Sequence, residues 1–401
     1  MISKLNLICR WAYPKSCGGI AMHNYFLLKA IKKRIQCETV SFDSLENSKF
    51  YEKSDIVFTG ISPNSYINRM HQLKFAKLKD ASRFISDRYI SKCFEKILKN
   101  RSGLFEFMDI HSEGYYFLKN NPEKRYFSII RSHTPFTLLK KYFNESELKG
   151  VDTWFSNSSE RKIFNWAENI TTPSKDLKNQ LTQLFDINSN KINVIPNVID
   201  TGHFKPIKIE PADCFNILHV GRFERAKGVE TLVEAFIQLA KKYSNIYLTC
   251  IGNARGPSLE ICKRKLSKEN LNKRVTFKGF ITYAELPVHY NKCDIVVVPS
   301  EIYESFSYTV AQGMACGKPV IASKLGGIPE TVNNGKAGIL FQPGNFEDLI
   351  EKIELLYLHE DNRISIGKKA REHVVNNFSI EVLGPTYIKY YQSLTSEKNY
   401  L

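Results

Sequence analysis

The stretch Val298-Pro299-Ser300-Glu301-Ile302-Tyr303-Glu304-Ser305-Phe306-Ser307-Tyr308-Thr309-Val310-Ala311-Gln312-Gly313-Met314-Ala315-Cys316-Gly317-Lys318-Pro319-Val320-Ile321-Ala322 decides how the chain is read. It leaves a β-branched run, Ile295 to Val298, passes through a polar loop that carries a carboxylate, and enters a helix on small residues. It then returns through Cys316-Gly317-Lys318 to a second β-branched run, Pro319 to Ala322. Strand, loop, helix and strand in this order form the unit from which parallel sheets are built.

The same alternation runs from end to end. In the first half strands are expected at Leu5 to Cys9, Glu38 to Phe42, Asp55 to Thr59, Phe105 to Ile110, Tyr126 to Ile130, Thr153 to Ser156 and Ile192 to Ile195. In the second half they are expected at Phe215 to Val220, Ile246 to Ile251, Val275 to Lys278, Ile295 to Val298, Pro319 to Ala322 and Gly338 to Phe341. This predicts an α/β chain of two doubly wound, Rossmann-like domains. The proline-framed segment Ile195 to Pro206 reads as the hinge between them. The expected domains are 1–203, 204–378 and a last helix, 379–401.

A chain of 401 residues with 43% apolar and 24% charged residues can bury large cores, which excludes a disordered or collagen-like protein. Nine scattered cysteines without a C-x-x-C pair exclude a zinc ribbon and fit a reducing compartment. No stretch reaches the roughly 18 apolar residues of a spanning helix, so a cytoplasmic chain is expected. The formal charge of +16 favours polyanions, anionic lipid or phosphorylated small molecules. Its excess lies mainly in residues 1–200. Much of it falls in Arg69 to Arg101, where ten basic and three acidic residues are interleaved with apolar ones at helical spacing. That segment reads as an amphipathic surface helix or helix pair, or as a face for an anionic membrane. A nucleic-acid reading has only the net charge behind it and is set aside.

Several loops carry ligand chemistry. Gly18 and Gly19 follow the first strand and let backbone amides approach an anion. The loop is neither G-x-G-x-x-G nor a P-loop. Gly221-Arg222 and Lys227-Gly228 deliver a guanidinium fork and a point charge to one turn, which suits two phosphates. Gly252 marks another strand exit. In the opening stretch, Glu304 and Gln312, eight positions apart, would place hydrogen-bonding groups around a sugar and a ribose, with free helix amides at Ser305, Phe306 and Ser307 between them. His111 and His133 are expected at strand C-termini, where α/β sheets bind ligands.

These motifs resemble, over nearly the whole chain, the GT-B glycosyltransferases of the retaining family 4 type. The pattern also includes Ile170-Thr171-Thr172-Pro173-Ser174, Lys191 to Asn197, Val275 to Gly279 and Cys293 to Ser300. The resemblance implies a GT-B fold, with two domains facing each other across a cleft and a C-terminal helix that crosses back to the first. It implies a nucleotide-diphosphate sugar held by the second domain: Arg222 and Lys227 on the diphosphate, Glu304 on the sugar hydroxyls, Gln312 on the ribose. Gly18 and Gly19 would touch the donor, and His133 would lie near the reacting sugar, with His111 beside the acceptor. Domain closure would complete the site.

The chain departs from that pattern at Gln312, where the family has a second glutamate, at Ser307 and at Val198, where it usually has glycine. No D-x-D motif occurs, so no metal and no cofactor is expected. The expected reaction retains the anomeric configuration and passes a sugar to a glycan or lipid-linked acceptor in bacterial surface polysaccharide (lipopolysaccharide or capsule) synthesis. The alternatives are a sugar-nucleotide epimerase of the same fold and a non-catalytic glycosyltransferase-like subunit.

Overall fold

The computed structural model describes residues 4–9, 19–41, 51, 56–60, 82–109, 111–142, 151–210 and 213–396. The chain divides into two compact units. One comprises Met1–Val198 together with Ile380–Leu401, the other Ile199–Ser379. The division falls inside the proline-framed segment, a few residues before 203.

The first unit holds seven strands: β1 (Lys4–Cys9), β2 (Gln36–Ser41), β3 (Val57–Gly60), β4 (Leu104–Met108), β5 (Ser128–Arg131), β6 (Asn169–Thr172) and β7 (Ile192–Val194). They lie in the order β3-β2-β1-β4-β5-β6-β7, with every neighbouring pair parallel. A sheet covered on both faces buries its strands on both sides: all five residues of β4 are buried, and the one polar side chain among them, Glu106, accepts from the Tyr391 hydroxyl at 2.5 Å. The last helix, Ile380–Ser396, packs on the helix Gly19–Ile31. Gly384 permits the approach, since a Cβ there would lie 3.1 Å from the Ala30 carbonyl oxygen.

Residues 153–156 form no strand: they lie within the helix Val151–Trp166. Thr153-Trp154-Phe155 has strand-like composition, and a short run of this kind does not distinguish strand from helix. Parallel neighbours β5 and β6 need a long crossover, which this helix supplies. The strand beside β5 is instead Asn169–Thr172, which overlaps the stretch Ile170–Ser174 read above only as a motif. That strand runs through Pro173 to Ser174, whose Oγ accepts from the Leu177 N–H at 3.3 Å and caps the helix Lys175–Phe185. Ser174→Ala should lower the stability of this unit by about 1 kcal/mol in chemical denaturation.

Within the basic segment, residues 69–81 and the side chains of 82–89 lie outside the described residues. From residue 90 the helix Ser82–Leu98 buries Ile90, Phe94 and Leu98, while Lys92 and Lys96 stay exposed, as does Lys99 just beyond it. The apolar stripe at i, i+4 and i+8 is thus part of the core, and the lysines form a solvated face. No described helix is long and apolar enough to cross a membrane.

The second unit repeats the plan with β8 (Phe215–Val220), β9 (Ile246–Ile251), β10 (Val275–Lys278), β11 (Ile295–Val298), β12 (Val320–Ser323) and β13 (Ile339–Phe341). The order is β10-β9-β8-β11-β12-β13, again parallel throughout. The helix Val229–Lys242 lays Leu232, Val233, Phe236 and Leu239 on the sheet. In both units the strand order reverses beside the first strand, between β1 and β4 and between β8 and β11. Doubly wound sheets open their ligand crevice at such a point, outside the strand C-termini.

Candidate active site

In the second unit the reversal point is flanked by the loops that leave β8 and β11. Glu301 and Ile302 donate their N–H groups to the Ala226 carbonyl at 3.0 and 3.2 Å, which ties the two loops together. Gly228 makes this fit. Its φ is +68°, and a Cβ would lie 1.7 Å from the Pro299 carbonyl oxygen.

The join brings Lys227 Nζ to 2.7 Å from Glu304 Oε1. Ser300 Oγ donates to the same oxygen at 2.5 Å, and the Ser307 hydroxyl also bonds the carboxylate. Burial opposes the charge on Glu304, but Lys227 and these hydroxyls outweigh it and hold the carboxyl below its ordinary range. Arg222 stands apart from this pair. Its guanidinium meets Glu224 Oε1 at 2.7 Å and is about half exposed, at 49%, so it stays reachable.

Ser305 and Ser307 are buried, and the Phe306 ring packs edge-on against Tyr308 and Phe378. Ser307 precedes the helix Tyr308–Ala315 in extended backbone, φ −103°. The glycine usual at this place is therefore not required for conformation, and the serine adds a hydroxyl to Glu304. Gln312 is buried on that helix, and its Oε1 accepts from the Tyr290 hydroxyl at 3.1 Å. Gly252 has a packing role: at φ +152° it lies against the Gly221 carbonyl oxygen, 1.9 Å from where its Cβ would be.

His219, two residues before Gly221, went unremarked in the sequence because it reads as one strand position among apolar ones. It is fully buried, with Nδ1 3.2 Å from the Val297 carbonyl oxygen and, among the described residues, no partner for Nε2. Burial pushes its pKa down to about 4; the Lys227 charge adds to this, while the Val297 bond and Glu304 oppose it. The ring is neutral in the fold, whereas the unfolded chain takes up a proton below about 6.5. Its contribution is therefore full above about pH 6.5 and is lost as pH falls toward 4. His219→Leu should flatten this unit's stability over that window, removing a decline on the order of 3 kcal/mol, as read by melts across pH.

In the first unit, Gly18 lies outside the described residues, and Gly19 is exposed at the start of its helix. β4 ends at Met108 rather than Ile110, so His111 opens the helix His111–Asn120 instead of closing a strand; its side chain lies outside the described residues. His133 follows β5 and is buried. Its backbone N–H donates to Asp109 Oδ1 at 2.7 Å, its Nδ1 lies 2.8 Å from Asp109 Oδ2, and its Nε2 lies 3.2 Å from Asn197 Oδ1. Asp109 holds a left-handed backbone, φ +52°. Asn197 Oδ1 also accepts from the buried Arg131 at 2.8 Å. The His23 ring stands 5.4 Å from that of His133 and is kept neutral by burial, reinforced by Arg131 and His133.

Asp109, Arg131 and His23 were not singled out in the sequence. Asp109 ends an apolar run with no spacing signal toward His133. Asn197 stood in a quoted motif without a role.

Residues 203–373 match the family model described as Glycosyl transferases group 1, and residues 17–203 match Glycosyltransferase Family 4. An uncharacterised glycosyltransferase of Methanocaldococcus jannaschii is 28% identical over 371 residues, 90% of either chain. A 41.2 kDa protein from the cps region of Klebsiella pneumoniae is 30% identical over 217 residues, 52% of this chain and 56% of that one. Among solved structures, the Anabaena HepE protein in complex with UDP and glucose superposes with a TM-score of 0.74 at 18% identity, covering 98% of this chain and all of that one.

Proposed function

Because the chain belongs to the GT-B glycosyltransferases, with a family 4 first half and a group 1 second half, we propose that it moves one sugar from a nucleoside-diphosphate donor to a glycan or lipid-linked acceptor with retained anomeric configuration. The observation that carries this reading is the Lys227–Glu304 pair, fixed at the strand C-termini where the order of the second sheet reverses.

Arg222 and Lys227 would meet the diphosphate, Glu304 the sugar hydroxyls, and the helix beginning at Tyr308 would offer free amides. These cations would supply the positive charge that other enzymes draw from a metal, so transfer should continue in chelator. The bond from the anomeric carbon to the diphosphate oxygen breaks, the acceptor oxygen bonds that carbon on the same face, and the acceptor proton passes to the leaving diphosphate. Glu304 is tied up by Lys227, Ser300 and Ser307, which suits positioning rather than nucleophilic attack. The first unit would hold the acceptor near His133. The Klebsiella relative supports a role in surface polysaccharide synthesis, and the exposed Lys92, Lys96 and Lys99 suit an acceptor at an anionic membrane.

A thermal-shift screen of UDP-, GDP-, ADP- and dTDP-sugars in chelator tests the donor site. One nucleotide should raise the melting temperature of the wild type and not of Arg222→Ala. A shift that survives the substitution would place the diphosphate elsewhere.

A further inference from the structure

Arg131 is fully buried on β5, directly after Ile129 and Ile130. Two of its three guanidinium nitrogens, Nε and Nη1, have no hydrogen-bond partner among the described residues, so the side chain costs stability that an apolar one would not. Glu106, on the same face of the neighbouring strand, is itself tied to the Tyr391 hydroxyl; burial raises its carboxyl above the ordinary range and Arg131 opposes the rise. The third nitrogen, Nη2, donates to the Ile195 carbonyl oxygen and to Asn197 Oδ1, both at 2.8 Å. Tyr387 of the last helix lies against the guanidinium, 5.5 Å from its ring centre, and its hydroxyl donates to the Pro196 carbonyl at 3.0 Å. Residues 195–197 are thus held by Arg131 and Tyr387 together.

A guanidinium has hydrogens to donate and no lone pair to accept with. The atom it meets on Asn197 is therefore the oxygen, and the amide cannot turn over. The same oxygen lies 3.2 Å from His133 Nε2, a contact that is a hydrogen bond only when Nε2 carries a hydrogen. An amide free to turn could offer its NH2 to a bare Nε2 instead. We propose that Arg131 is a positioning residue for His133: by fixing Asn197 it makes Nε2 a hydrogen-bond donor and so orients the ring. The inference rests on the reading of His133 given above and extends it to the side chain behind it.

Nitrogen-15 spectra of the histidine rings, with His133 assigned by the signals missing from His133→Ala, read the state of Nε2 and need no substrate. The wild type should show a hydrogen on Nε2, and Arg131→Met should lose it. Turnover of the nucleotide-sugar that the melting screen selects, followed as release of nucleoside diphosphate, is the second readout. Arg131→Met should lower kcat about tenfold with KM for the donor within about twofold. In the His133→Ala background it should cost less than about twofold, since a residue that acts only through His133 then has nothing to act on. Arg131→Met/Glu106→Gln removes the charge together with the neighbouring acid and carries the same expectations if the single variant fails to fold. A bare Nε2 in the wild type, a spectrum unchanged in the variants, or equal losses in the two backgrounds overturns the inference. Spectra as expected beside a wild type that turns over none of the nucleotide-sugars would overturn the proposed function and leave the hold of Arg131 on His133 standing.

Discussion

Lys227→Ala should reduce transfer at least a hundredfold, with most of the loss in donor binding and in departure of the diphosphate. Two effects combine. The ammonium is one of the two cations proposed to meet the diphosphate, and removing one fixed donor from a developing oxyanion costs on the order of 10²–10³ in rate. The substitution also strands Glu304, whose carboxylate is largely buried and has Lys227 as its ion pair at 2.7 Å. Breaking one side of a buried pair destabilises by about 3 kcal/mol, because the remaining charge stays desolvated. The double variant Lys227→Ala/Glu304→Gln separates the two effects. It should recover much of the thermal stability and none of the activity, a coupling that a double-mutant cycle reads directly.

His133→Ala should lower kcat by about a hundredfold while the affinity for the nucleoside diphosphate stays within twofold. The reason lies in where His133 is held. Both Asp109 oxygens meet it, one on the backbone N–H and one on Nδ1, and Asn197 meets Nε2. None of these groups belongs to the unit proposed to bind the diphosphate. Asp109→Asn is the informative companion. Asparagine tolerates the left-handed backbone at 109, so the change removes charge without adding strain. Its kcat should fall less than that of His133→Ala, because the asparagine still faces the ring while the charge beside Nδ1 is gone. Steady-state kinetics beside nucleotide titration check both variants.

The fold was legible because parallel sheets buried on both faces are written as apolar runs between helical segments. The runs at 5–9, 215–220, 246–251 and 295–298 coincide with strands for that reason. The run at 153–156 misled because three residues of strand-like composition carry no period, and the crossover that made them helical is a demand of the whole sheet. The site was legible where chemistry is local. Gly221-Arg222, Lys227-Gly228 and Glu304 stand at strand exits, and a glycine beside a charged residue at such an exit signals a ligand loop. What joins Lys227 to Glu304 is a long-range event, two loops hydrogen-bonded through Ala226, and no spacing encodes it. The same holds for Asp109 beside His133 and for Tyr290 beside Gln312, where the partner sits on another element and reads alone as an ordinary core or turn residue.

The most direct test of the central claim is a ³¹P NMR titration, in chelator, of the nucleoside diphosphate that the melting screen selects, comparing the wild type with Lys227→Ala. Both phosphorus signals of the ligand should shift on binding the wild type without metal, and the shift should be lost or greatly weakened in Lys227→Ala at matched protein concentration. A shift that needs added divalent metal, or one that is unchanged when Lys227 is removed, would contradict it.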